Sequence, residues 1–192
     1  MALRIKSKWH HSERNASVDK GLEEHAGALA FIMWRMALDK AVSLHGEDYV
    51  YTSDGQRIAI ICEYLAFQLQ ICDRLCYLYE MPDDQRQYMI TNAAQRVADH
   101  VQDNAQDLFG PGDYKTGFLN TLNKRSGDYA EYSYTKAGPS YSFLRYLGAR
   151  CQSIMKEDQL NKWVINQVME KDGPEVNDKL GDAFENLLGL DE

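Results

Sequence analysis

Apolar residues recur along this chain at helical spacing, and the densest stretch, residues 57–81, contains neither glycine nor proline until Pro82 ends it. At 1.5 Å per residue the stretch predicts a rod of about 37 Å, long enough to cross a small domain. Placed at about 100° per residue, its polar positions Glu63, Gln70, Asp73 and Arg74 fall on one strip about a third of the circumference wide. Apart from Gln68, the positions among them are apolar. A helix that greasy needs neighbours on several sides, which predicts a central place in a helical bundle.

The rest of the chain supplies those neighbours. A first long helix is expected from Ser17 or Val18 to His45, with Ser17 as N-cap and Gly46 as stop. Ala26, Ala30, Ala37 and Ala41 make one side of it thin enough for close approach, and Arg35 and Asp39 are spaced to form an exposed ion pair. Residues 47–56 read as a short extended link, with Ser53 or Asp54 capping the central helix. After Pro82 a cleaner amphipathic pattern over 84–109 places Ile90, Ala94, Val97, Val101, Ala105 and Leu108 on one stripe. The short link makes this helix the antiparallel neighbour of the central one.

From Gly110 to Gly138 glycine, tyrosine and hydroxyl residues dominate, leaving one short helix at about 114–124. A fourth long helix begins after Pro139 and continues or restarts up to Lys171, where Asp172, Gly173 and Pro174 end it. A last short helix carries Val176, Leu180, Phe184, Leu187 and Leu188. The expected fold is therefore all-α, an irregular antiparallel bundle of four long helices plus one or two short ones. Its divisions are a basic N-terminal arm at 1–17, a bundle domain at 18–171 and an acidic C-terminal short helix at 172–192.

With 192 residues, 44% of them hydrophobic, the chain is large enough for one domain with its own core. Charge is unevenly spread: residues 1–16 carry +3, so the remainder carries −11 to give the net −8. A body that negative repels phosphate backbones and disfavours nucleic acid as a partner. The arm lacks the apolar region of a secretory signal, and the longest apolar run, 26–34, has nine residues where a bilayer needs about 20, so a cytoplasmic protein with no membrane contact is expected. Cys62, Cys72, Cys76 and Cys151 form no CxxC pair and read as buried thiols.

Candidate chemistry is sparse. The Glu-x-x-His pairs of di-iron bundles are missing, as are nucleophile-elbow, Walker, dinucleotide and zinc-protease signatures. Glu63 and Asp73, with His25 and His100 from the flanking helices, are the residues that an interior small-molecule or metal site would use. Lys136, Ser140 and Arg145 lie where a helix begins, and free N–H groups there favour a bound anion. Trp9, in a basic arm, is the type of residue that anchors a contact. The tail from Asp172 onward carries −6, so arm and tail are able to meet within one chain or across a homodimer. The fewest assumptions are needed by a non-enzymatic cytoplasmic binding or assembly protein without a cofactor, its partner another protein or a second copy.

Overall fold

The computed structural model describes residues 21–46, 49–156 and 160–190. Trp9, Ser17 and the basic arm lie outside the described residues. Helix α1 spans Leu22–Gly46, α2 Asp54–Leu78 and α3 Asp83–Phe109. They are followed by α4 at Tyr114–Ala130 and by two-residue strands, β1 Tyr134–Thr135 and β2 Gly138–Pro139. Then come α5 at Tyr141–Met155, α6 at Val164–Gln167, a π-helical turn at Val168–Asp172 and α7 at Gly173–Leu188. The class is all-α, with a single antiparallel hairpin in which Tyr134 faces Pro139 and Thr135 faces Gly138 among the described residues.

The central rod is where periodicity put it: α2 packs against α1, α3, α4, α5 and α7. From Ile60 to Leu69 every residue but Cys62 is buried. Ser53 starts it, its Oγ accepting from the Gln56 N–H at 3.3 Å while Gln56 Oε1 accepts from the Thr52 N–H at 2.7 Å, a two-way cap that satisfies orphan donors. On α1 the four alanines at 26, 30, 37 and 41 are fully buried, the thin side that lets the other helices close in. Helix α3 buries Met89, Ala93, Val97, Ala98, Val101 and Ala105, while Leu108 at the end of the expected stripe is exposed.

Within the described residues helix α1 begins at Leu22, with the Gly21 carbonyl accepting from the N–H groups of Glu24 and His25, and the start expected at Ser17 or Val18 lies outside them. Three expectations change. Arg35 and Asp39 are exposed, and no ion pair joins them among the described residues. The short helix expected at 114–124 runs on to Ala130, capped by Asp113, whose carboxylate accepts from Thr116 N–H at 3.0 Å. The helix after Pro139 takes the second of its two expected courses: it stops at Met155, where Lys156 turns the chain with φ 65°, and restarts at Val164.

Nor does Asp172-Gly173-Pro174 end a helix. The Gly173 N–H bonds back to the Val168 carbonyl, five residues away, and the rod continues into α7. Proline lacks an N–H and its ring collides with the carbonyl four residues earlier, so a locally widened turn is the way to carry it inside a helix. Gly173 suits this turn as well, because a Cβ would sit 3.1 Å from the Val168 carbonyl oxygen and press on the Leu144 side chain of α5. Among the described residues no helix is long and apolar enough to cross a membrane.

Candidate functional site

Helix α4 covers the polar strip of α2 at Glu63, Gln70 and Arg74, whereas Asp73, its side chain 31% exposed, turns toward α3. Glu63 takes both forks of Arg125, Nε at 2.7 Å and Nη2 at 2.6 Å, with side-chain exposures of only 4% and 6%. Further along, Gln70 donates to Ser126 Oγ at 2.8 Å and Arg74 to the Tyr129 carbonyl at 3.4 Å. Arg150 of α5 comes within 3.8 Å of Glu63, and Arg125 within 3.7 Å of Asp128, which accepts from Tyr146. The Glu63 hydrogen bond raises the Arg125 pKa, so this guanidinium stays charged at any relevant pH.

The four residues that an interior ligand site would use are not brought together. Glu63 and Asp73 are ten positions apart, about 15 Å along the axis, and Asp73 reaches Arg86 at 3.5 Å instead. His100 stacks on Trp34 with ring centroids 5.6 Å apart, whereas His25 lies nine positions before Trp34 on α1, about 13 Å down that helix. No group of three His, Cys, Asp or Glu side chains among the described residues is arranged to hold a metal ion.

A second buried charge cluster was not anticipated. Lys40 of α1 reaches Asp172 Oδ1 at 3.4 Å and Glu175 Oε2 at 2.5 Å, and Tyr64 of α2 donates to Asp172 Oδ2 at 3.0 Å. Burial alone would lower the Lys40 ammonium; the two carboxylates outweigh it and raise the pKa. Asp172 sits on the π turn, so the widened turn is also where α1, α2 and α7 are tied together. In the sequence Lys40 is one of several charged residues of α1 and Tyr64 one of many apolar positions of α2, so neither marks the cluster. Burial pushes the thiols of Cys62 and Cys76 up to about 12 and holds Cys151 well above its ordinary 9.0, which suits packing and not nucleophilic chemistry.

The anion-binding trio is likewise dispersed. Ser140 Oγ caps α5, accepting from the Phe143 N–H at 3.3 Å, and Arg145 is exposed on α5. Lys136 stands at the hairpin tip and lines a groove of about 520 Å³ between the last turns of α2, the hairpin and α7. It is lined by Leu75, Leu78, Tyr79 and Tyr134 and by the acidic Asp178, Asp182 and Glu185. Local sequence explains the opening. Gly138, at φ 92°, lets the hairpin come close to Asn177, and the Tyr134 hydroxyl donates to Asn177 at 2.8 Å. Gly181 offers no side chain into the space, and a Cβ there would meet nothing within 4 Å. Three carboxylates thus face one ammonium, and none of the three is ion-paired among the described residues. Comparison of the chain with family models, curated proteins and solved structures gave no match.

Proposed function

We propose that the protein is a non-enzymatic binding or assembly protein of the cytoplasm, and that its contact site is the groove between α2, the hairpin and α7. The occupant is a basic protein segment carrying an aromatic anchor. What carries the reading is the groove's composition, in which leucine and tyrosine side chains stand beside three carboxylates. Aromatic side chains gain most from the former, and lysines or arginines from the latter. Its volume of about 520 Å³ lies within the usual range for sites that enclose a ligand. The buried charged residues, Lys40, Glu63, Arg125 and Asp172, are all engaged with one another or with neighbours, so their chemistry is directed to the fold. The free cysteines agree with a reducing compartment. A second copy of the chain is one partner with a segment of this kind.

The test is titration of a fluorescent peptide containing several lysines and one tryptophan against the full chain. Binding should weaken about tenfold or more when Asp178→Lys and Asp182→Lys are combined, and should weaken with added salt. Affinity unchanged by the reversal would remove the groove as the contact site.

A further inference from the structure

We infer that the occupant of this groove in the isolated protein is the chain's own basic arm, residues 1–16, with Trp9 seated between Leu78, Tyr79 and Tyr134. The inference rests on the groove being the contact site. Three observations lead to it. Charge is the first: Arg4, Lys6, Lys8 and Arg14 against Glu13 give the arm +3, and the groove presents three carboxylates to one ammonium. Opposite potentials of this kind select partner and orientation.

Position is the second. The Gln68 side chain donates to the Met33 carbonyl at 3.2 Å, which fixes where α1 and α2 lie beside each other. The short link between them makes them antiparallel. Going back eleven residues from Met33 to Leu22 covers about 16 Å, and so does going forward from Gln68 to Tyr79. The start of α1 is therefore level with the groove's wall. On the other wall, Tyr79 donates to Glu185 of α7, so all these elements meet at one end of the bundle.

Reach is the third. Trp9 and Gly21 are twelve positions apart, and fully extended that stretch spans about 40 Å, whereas a helix with its side chains is about 10–12 Å across. An extended stretch of that length is enough to cross the width of α7. So short a tether sets an effective concentration in the millimolar range, so at micromolar protein the arm of the same chain outcompetes that of a second copy. An external basic segment then has to displace the arm, which makes the arm a built-in competitor at the site.

Trp34 is buried and Trp163 exposed, so in a Trp163→Phe chain Trp9 is the one tryptophan whose surroundings are at issue. Acrylamide quenching of that full-length chain should be weak and should rise several-fold with Gly181→Leu, which fills the groove where there is room for a side chain and improves helix propensity. Asp178→Lys with Asp182→Lys should do the same. Strong quenching before any groove change, or quenching unmoved by Gly181→Leu, overturns the inference. Protection that appears only as concentration and mass by light scattering rise together overturns it too, since the arm then comes from a second copy. The lysine-tryptophan peptide separates the two readings. If Trp9 is unprotected but the peptide still binds and Gly181→Leu abolishes it, the contact site stands and the arm's place in it falls; if the peptide also fails to bind, both fall.

Discussion

Arg125 is held between Glu63 and Asp128 with almost no solvent contact, and an ion pair in that situation behaves asymmetrically when mutated. Removing both charges in favour of apolar groups of similar size is close to neutral, but removing one leaves the other buried without its partner. Arg125→Met should therefore cost about 3–5 kcal/mol, and the double variant Glu63→Leu with Arg125→Met should recover more than half of that, read from urea-unfolding midpoints at constant m-value. A double variant no more stable than the single would mean that Arg150, at 3.8 Å, and not Arg125, is what Glu63 needs. The sequence marks Glu63 as polar in an apolar helix and goes no further. Its partner lies 62 positions away, and a contact over that separation leaves no periodic trace.

Helix α4 shows the same difficulty one level up. Its buried face is Phe118, Leu122, Arg125 and Tyr129, a helical stripe with a charge in the middle of it, and Gly117 and Gly127 dilute its propensity. Read locally, the pattern breaks at Lys124; packing on the α2 strip completes it to Ala130. By contrast α3, whose buried stripe holds no charge, could be read from the sequence to within a residue, and α2, apolar over most of its girth, to within three at each end. The glycines give this element-scale account a test. A Cβ at Gly127 meets nothing within 4 Å, so Gly127→Ala should raise stability by about 0.5–1 kcal/mol. Gly148 of α5 is the opposite case, because its Cβ would lie 2.8 Å from the Ile165 carbonyl, and Gly148→Ala should cost about 1–3 kcal/mol by pushing α6 away. Thermal melts of the two variants should move in opposite directions. Equal shifts would show that helix propensity and not close approach governs both sites.

At the scale of the whole molecule, α7 closes the bundle. Val176, Leu180 and Phe184 are fully buried, and Glu175 bridges Lys40 and Lys179. Hydrogen bonds from Lys179 and then Lys40 hold the Glu175 carboxyl down at about 2, from an ordinary value of 4.5. A carboxyl whose folded pKa is depressed stabilises the fold above its unfolded value and loses that contribution as pH falls through the folded one. The acid limb of the stability curve thus opens near pH 4.5 and extends toward 2. Groups whose folded pKa is raised work in the other direction: the thiols of half-buried Cys62 and buried Cys76 stabilise the fold below their ordinary 9.0 and lose that as pH climbs toward about 12. Melting temperature should accordingly be level between these limits and fall on both sides. Glu175→Gln isolates one contribution. The variant should melt below the parent at neutral pH, and the gap should narrow steadily from pH 4.5 to pH 2, where the parent's carboxyl also becomes neutral, while the alkaline limb stays as it was. Calorimetry at a series of pH values checks it. A gap that keeps its size down to pH 2 would mean that Glu175 holds α7 to α1 through packing and neutral hydrogen bonds, with its charge contributing nothing.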